Sequence, residues 1–195
     1  MEDSKKYLKH GEQTVPSDKV IKLVKTISGD GFDFVVEALD WIGKNLKVER
    51  DRPDRNSLFN RRTASQIIED EFSTGCTDTA LAFVALCRTR SIPTKYVETI
   101  GRDWLEDKYE KGRIHGHVFA EIYLKNKWYV VDPQRRTIYV ASNPYQVFEI
   151  YATGLDAWDV GLHSIEELQE KFLEFKKKYG SSHGSSEPKD NPPKA

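Results

Sequence analysis

The stretch from Gly75 to Arg88, GCTDTALAFVALCR, carries the strongest structural signal in the chain. Apolar residues occupy nearly every side of the helix that it predicts, which is the pattern of a buried central helix. Cys76 follows a glycine and opens this helix. A helix N-terminus stabilises a thiolate, and its unpaired N–H groups can bind the oxyanion formed when that thiolate attacks a carbonyl. The stretch therefore predicts a candidate nucleophile at the start of a core helix, with a structural cysteine as the alternative.

The second cysteine, Cys87, lies deep in the same predicted helix, and we interpret it as a structural residue. The two cysteines are about three helical turns apart, roughly 16 Å, whereas a disulfide needs Cα atoms within about 7 Å. The first thirty residues contain no uninterrupted apolar run of the signal-peptide type. Two unpaired thiols without an export signal predict a reducing, cytoplasmic location.

The charge balance argues against nucleic acid and membranes as partners. Lys and Arg number 30, against 31 Asp and Glu. A near-neutral chain does not favour broad electrostatic binding of nucleic acid or of an anionic membrane. No segment approaches the roughly 20 apolar residues that are needed to span a bilayer. The length of 195 residues is enough for one domain with a hydrophobic core.

Predicted helices precede the central helix, and predicted strands follow it. Hydrophobic periodicity indicates helices at about 18–27, 32–45 and 63–71, strands at 94–100, 117–124, 128–132 and 137–140, and a last helix at 165–179 that Gly180 ends. Polar stretches at 50–62 and 101–113 predict surface loops. Helices that lead into antiparallel hairpins make an α+β domain. We expect a flexible N-terminus at 1–15, a single domain at 16–180 and a disordered tail at 181–195.

A nucleophilic cysteine needs a base, and that base needs an orienting group. Strand alternation places His117 on the same face as Phe119 and Glu121. If Lys125 and Asn126 form a two-residue turn, Asp132 becomes the diagonal neighbour of His117 on that face, within reach of its ring. A three-residue turn would put the two side chains on opposite faces, so this pairing depends on the turn.

Glu121 is excluded as the orienting group, whereas three other interpretations of the histidines stay open. Glu121 lies four residues along the strand, roughly 13 Å away, which is too far to orient the histidine. His115 is the local rival for the role of base. His115, His117 and Cys76 would make a metal site only with further ligands at suitable spacings, and none is evident. A histidine at the start of a strand is also often structural.

Several segments together resemble the transglutaminase-like superfamily. The cysteine region is matched by Arg62-Thr63-Ala64, Gly75-Cys76-Thr77-Asp78, Leu86-Cys87-Arg88 and Ile92-Pro93. Its histidine and aspartate strands are matched by Gly116–Leu124 and Trp128–Pro133, and the preceding helix by Ala38–Ile42. The resemblance covers roughly residues 18–160, with the blocks in order at plausible spacings. Cys76, His117 and Asp132 fall on the triad of the family, whereas His115 does not.

The resemblance implies a papain-like α+β core, with the nucleophile helix packed on an antiparallel sheet, flanking N- and C-terminal helices, and no metal or organic cofactor. Two positions depart from the pattern: Ser91 stands where the family commonly has glycine, and Phe119 replaces a frequent tryptophan. The second oxyanion donor is not identifiable. Gln66 is a candidate for it, with an ordinary polar helix residue as the alternative.

These observations favour a cysteine-dependent acyl-transfer enzyme. Cys76 would attack a peptide-bond or glutamine carboxamide carbonyl to form a thioester, with His117 as acid and base and Asp132 orienting it. Water as acceptor gives a peptidase or amidase, and an amine gives a transamidase. The expected partner is a protein or peptide substrate. The alternative is a non-catalytic binding or scaffold module that retains the fold, although all three triad residues are present. The sequence does not indicate the substrate or the oligomeric state.

Overall fold

The computed structural model describes residues 2–108 and 113–183. The helices are α1 Glu2–Lys5, α2 Asp18–Thr26, α3 Phe32–Asn45, α4 Arg55–Leu58, α5 Ala64–Asp70, α6 Cys76–Thr89, α7 Arg102–Leu105 and α8 Ile165–His183. The strands are β1 Lys47–Val48, β2 Phe72–Ser73, β3 Thr94–Gly101, β4 Gly116–Leu124, β5 Lys127–Asp132, β6 Thr137–Tyr139 and β7 Phe148–Gly154. Short 3-10 helices span Lys6–Leu8, Glu12–Thr14 and Pro144–Gln146. No helix in these described ranges has both the length and the apolarity needed to cross a membrane.

The predicted α+β class is confirmed. Five antiparallel strands form one sheet in the order β6-β5-β4-β3-β7, and β1 and β2 form a small parallel pair. Helix α6 packs against β3 and β4, and α2, α3 and α5 pack on α6 from other sides. Because neighbours surround α6, every residue from Thr77 to Arg88 is buried. This explains why the sequence of α6 is apolar all round.

The C-terminus of α6 adopts a left-handed cap. Ser91 has φ 63°. Its N–H donates to the carbonyl of Arg88 at 2.8 Å, and the N–H of Ile92 donates to the carbonyl of Cys87 at 2.9 Å. This pair of hydrogen bonds is the Schellman motif, in which glycine is the favoured residue because it has no Cβ. The position where Ser91 departs from the family pattern is therefore one that requires a positive φ.

The hairpin between β4 and β5 has the predicted two-residue turn. Lys125 and Asn126 have φ values of 49° and 61°, as a type I′ turn requires. Leu124 pairs with Lys127, and the register runs on to Ala120 opposite Val131. The predicted register is confirmed, so the start of β4 and the end of β5 lie at the same end of the sheet.

The prediction of a flexible N-terminus is wrong for residues 4–14. Tyr7 is buried, and Gln13 and Thr14 are completely enclosed. The backbone N–H of Gln13 donates to Asp156 Oδ2 at 3.0 Å, and Arg88 Nη1 donates to Thr14 Oγ1 at 3.1 Å. The polar residues Gln13 and Thr14 dock through buried hydrogen bonds, whereas the polarity of the segment predicts exposure to solvent.

The loop and tail boundaries also need correction. The predicted loop at 50–62 contains the short helix α4. The predicted loop at 101–113 contains α7, in which Trp104 and Leu105 are buried. Residues 109–112 of this second predicted loop lie outside the described residues. Strand β7 was not predicted. Gly180 does not end α8, which continues to His183. The part of the predicted tail from 184 to 195 lies outside the described residues, so its disorder stays a prediction.

Candidate active site

The candidate nucleophile, Cys76, is the first residue of α6. Its thiol is free and its side chain is partly exposed. The N-cap residue is Gly75, and no side chain from the described part of the chain caps the helix. The N–H groups of the first turn are therefore not occupied by a capping oxygen. The positive end of the helix dipole lies at the thiol.

A buried ion pair fixes the turn before Cys76. Asp78 is only 2% exposed, and its Oδ2 accepts from Arg62 Nη2 at 2.6 Å. The same oxygen accepts from the backbone N–H of Thr74 at 2.7 Å and from its hydroxyl at 2.9 Å. Arg62 compensates the carboxylate charge in the first turn of α6, which would otherwise oppose a thiolate at Cys76. The pair also ties α5 and the nucleophile turn together.

The candidate base, His117, lies near the start of β4 and is buried. Its Nε2 lies 2.8 Å from Asp132 Oδ2 at the end of β5. Asp132 is completely buried, and its Oδ1 accepts from the backbone N–H of Arg135 at 3.0 Å. The diagonal relationship expected from the hairpin register is thus present in the structure.

The protonation of His117 depends on its two partners. Burial opposes protonation of the ring, but hydrogen bonding to Asp132 and to Cys76, together with their charges, raises the pKa of His117 to about 10. Because Nε2 faces Asp132, Nδ1 is the ring nitrogen left for the thiol of Cys76. Beside a Cys76 thiolate the ring is an imidazolium at neutral pH. The structure brings together all three residues singled out in the sequence.

Aromatic rings enclose the other sides of the imidazole. Phe119 meets His117 edge-on with ring centroids 4.7 Å apart, and Phe148 lies at 5.9 Å. Phe148 comes from β7, which sequence reasoning missed. The run FEIYATG after Asn143-Pro144 is rich in β-branched and aromatic residues, and this was the signal that would have identified the strand.

The rival residues are engaged elsewhere. His115 Nδ1 lies 2.7 and 3.0 Å from the two carboxylate oxygens of Asp103. Glu121 accepts from Lys95 Nζ at 2.7 Å and from the hydroxyl of Tyr145 at 2.9 Å. Within residues 2–108 and 113–183, no three His, Cys, Asp or Glu side chains converge to hold a metal ion.

Two further side chains have structural roles. Gln66 Oε1 accepts from the backbone N–H of Thr63 at 2.9 Å, and Thr63 in turn caps α5. This capping box supports the interpretation of Gln66 as a helix residue and not as an oxyanion donor. Cys87 is fully buried, and burial raises the pKa of its thiol far above the usual range. Its position agrees with the structural role that we predicted.

Sequence reasoning missed a buried carboxyl group beside the site. Glu98 on β3 is 2% exposed, and its Oε2 accepts from the hydroxyl of Tyr96 at 2.6 Å. Burial raises the pKa of Glu98 to about 7, although the tyrosine hydrogen bond and the charge of His117 partly oppose this. The signal in the sequence was one acidic residue in an otherwise uncharged strand segment, YVETIG.

Comparison with known proteins identifies the family. The model of the transglutaminase-like superfamily matches residues 20–133, which is more than half of the chain. The structure is similar to the crystal structure of a "Putative Cysteine Protease" from Cytophaga hutchinsonii, with a TM-score of 0.61 and 24% sequence identity. The match covers 82% of this chain and 50% of that protein, so the chain spans half the length of that relative. No curated protein matches the chain. The α+β fold is consistent with a papain-like transglutaminase core, and the chain belongs to the transglutaminase-like superfamily.

Proposed function

We propose that this protein is a cysteine-dependent acyl-transfer enzyme that acts on amide carbonyls of peptides or proteins. The observation that carries the proposal is the placement of the His117 ring between Cys76 and the buried carboxylate of Asp132. A thiol, a base in contact with it and a group that orients the base are the parts that nucleophilic catalysis requires. The family and the fold support a cysteine enzyme of this kind.

In the first half-reaction the Cys76 thiolate attacks the carbonyl carbon and forms a C–S bond. The carbonyl π electrons move to oxygen, and the N–H groups of the first turn of α6 are placed to bind the resulting oxyanion. When the tetrahedral intermediate collapses, the C–N bond breaks. The His117 imidazolium gives its proton to the leaving nitrogen, which departs as an amine or as ammonia. The product is a thioester on Cys76 and a neutral imidazole.

In the second half-reaction neutral His117 removes a proton from the acceptor. If the acceptor is water, its oxygen attacks the thioester, and the products are a carboxylic acid and the regenerated thiolate–imidazolium pair. If the acceptor is a primary amine, the product is a new amide. Asp132 keeps the ring oriented in both steps and stabilises its positive charge. The same three residues serve hydrolysis and transamidation, so they do not determine whether the acceptor is water or an amine.

The proposed setting is a reducing cytoplasm, which is supported by the free thiol at Cys76 and the buried thiol at Cys87. The proposed partner is a protein or peptide substrate. A non-catalytic scaffold has no need for an aspartate that is fully buried against a histidine, so the geometry favours the enzyme over the scaffold.

A substrate screen tests the proposal. Peptide libraries and glutamine-containing peptides are incubated with the wild type, with and without a primary amine, and the products are identified by mass spectrometry. Cys76→Ser keeps the shape of the side chain and should abolish every product. Cys87→Ala retains Cys76 and should preserve the product pattern. An activity that survives Cys76→Ser at the wild-type rate would contradict the proposed nucleophile.

A further inference from the structure

The mechanism above makes no use of Glu98, although its side chain on the interior strand β3 is only 2% exposed. Among the described residues no Lys or Arg lies within ion-pair distance of its carboxyl group, and its hydrogen-bond partner is the hydroxyl of Tyr96. Burying a carboxyl group without a cation is costly. The cost indicates that the group has a role besides packing.

Tyr96 links Glu98 to the nucleophile helix. Its ring is fully buried and belongs to the core cluster against which the partly buried side chain of Cys76 packs. Thr77, next to Cys76 in the first turn of α6, is the neighbour whose side chain lowers the pKa of the Tyr96 hydroxyl, against the larger effect of burial, which raises it. A chain of polar contacts therefore runs from Glu98 through Tyr96 to the residue beside the thiol.

Glu98 also lies close to the candidate base. It pairs with Val118 across the β3–β4 ladder and is therefore one residue along from His117, with its side chain leaving the sheet on the opposite face. The charge of His117 lowers the pKa of Glu98. The other ionisable groups that face this region are Tyr151 on β7 and Cys76 on α6. His117 is the cation among these groups, so a negative charge on Glu98 favours the protonated ring.

We propose that Glu98 is a positioning residue of the Cys76–His117 site. Its hydrogen bond to Tyr96 holds the first turn of α6 on the sheet, and its negative charge stabilises the His117 imidazolium. This inference rests on the proposed function, because it concerns the same thiol and the same base. It adds a fourth group to the three that the sequence indicated.

The proposed effect of the Glu98 charge on His117 is tested by following the pH titration of the His117 ring in histidine NMR spectra. The His117 resonance is assigned by its absence in His117→Ala. Glu98→Gln keeps an acceptor for Tyr96 and removes the charge. We expect it to lower the pKa of His117 by about one pH unit, the order of the interaction between two charges on neighbouring strands of a protein interior. Glu121→Gln is the control: it removes a carboxylate from the same strand as His117, but one that Lys95 already compensates, so the His117 titration should not move.

Two outcomes of this titration are distinguishable. If His117 titrates near 10 in the wild type and Glu98→Gln leaves that value unchanged, this inference is overturned while the proposed function stands. If the wild-type ring titrates near its ordinary value of about 6.5, the ion pair with Cys76 does not form, and both the proposed function and this inference fail.

The link through Tyr96 has its own test. Tyr96→Phe keeps the ring and removes the hydroxyl, so it cuts the connection between Glu98 and Thr77. We expect the rate at which iodoacetamide alkylates Cys76 at pH 7 to fall severalfold. If the only change is a lower melting temperature, with the alkylation rate of the folded protein unchanged, Tyr96 is merely structural and the positioning role is overturned.

Discussion

His117 Nε2 lies 2.8 Å from Asp132 Oδ2, and both groups are buried where β4 begins and β5 ends. The contact follows from the register of one hairpin, which the turn at Lys125 and Asn126 sets. A shift of one residue in the pairing of β5 with β4 would turn every side chain of β5 to the other face of the sheet. His117 and Asp132 would then be separated. The geometry of the base thus depends on a turn that begins eight residues after His117 and ends six residues before Asp132.

The first prediction concerns this contact. Asp132→Asn should preserve the fold but reduce turnover by at least about a hundredfold, because the amide neither orients the ring nor stabilises the imidazolium as a carboxylate does. The measurement is kcat/KM on a substrate from the screen. Glu121→Gln, on the same strand as His117, is the matched control and should cost much less. Equal losses in the two variants would remove Asp132 from the site.

The second prediction concerns the ion pair beneath the nucleophile turn. Asp78→Asn should reduce the free energy of unfolding by about 3 kcal/mol, because it leaves the buried guanidinium of Arg62 without its closest counter-charge. Asp70, the other carboxylate partner of Arg62, is half-exposed, so Asp70→Asn should cost less than about 1 kcal/mol. Urea denaturation measures both values. If Asp70→Asn lowered the free energy of unfolding more than Asp78→Asn does, Asp78 would not be the main counter-charge of Arg62.

The third prediction concerns the helix cap. Because Ser91 adopts φ 63°, Ser91→Gly should raise the free energy of unfolding by about 1 kcal/mol. Ser28, an exposed serine that is not among the residues with positive φ, gives the control, and Ser28→Gly should be neutral or destabilising. Thermal unfolding compares the two. Destabilisation by Ser91→Gly would mean that its side chain makes a contact that outweighs the backbone strain.

The fourth prediction concerns pH-dependent stability. The folded protein holds the proton of Glu98 up to about pH 7, whereas the unfolded chain loses it near 4.5. The folded state therefore binds more protons between these values, and this group lowers stability as pH rises through that window. Glu98→Gln removes the effect, so the variant should be more stable than the wild type at pH 8, by up to about 3 kcal/mol. The difference should vanish near pH 4, as urea denaturation at the two pH values would show.

The nucleophile helix and the hairpin were predictable because their signals are local. Helix α6 is apolar on all sides from Ala80 to Cys87, and strand alternation with a short turn defines the β4–β5 pairing. The candidate site was predictable for the same reason: its members are the first residue of a helix and two residues of one hairpin.

The parts that sequence reasoning missed depend on tertiary contacts. Gln13 and Thr14 are polar residues that dock on Asp156, far along the chain, and a local pattern does not distinguish them from exposed polar residues. If β3 lay at the edge of the sheet, Glu98 would be an ordinary strand residue. It is a buried carboxyl group because β3 is an interior strand, paired with β4 and β7, and α6 covers it.

The most direct test of the central claim is the pH dependence of Cys76 alkylation by iodoacetamide, followed by mass spectrometry, because it needs no substrate. Cys87, which is fully buried, should react far more slowly and serves as the internal reference. In the wild type we expect Cys76 to react quickly even near pH 6, because the His117 imidazolium stabilises the thiolate. His117→Ala should lose this low-pH reactivity, and His115→Ala should keep it. If His115→Ala loses it and His117→Ala keeps it, the base is misassigned and the account of the site is wrong.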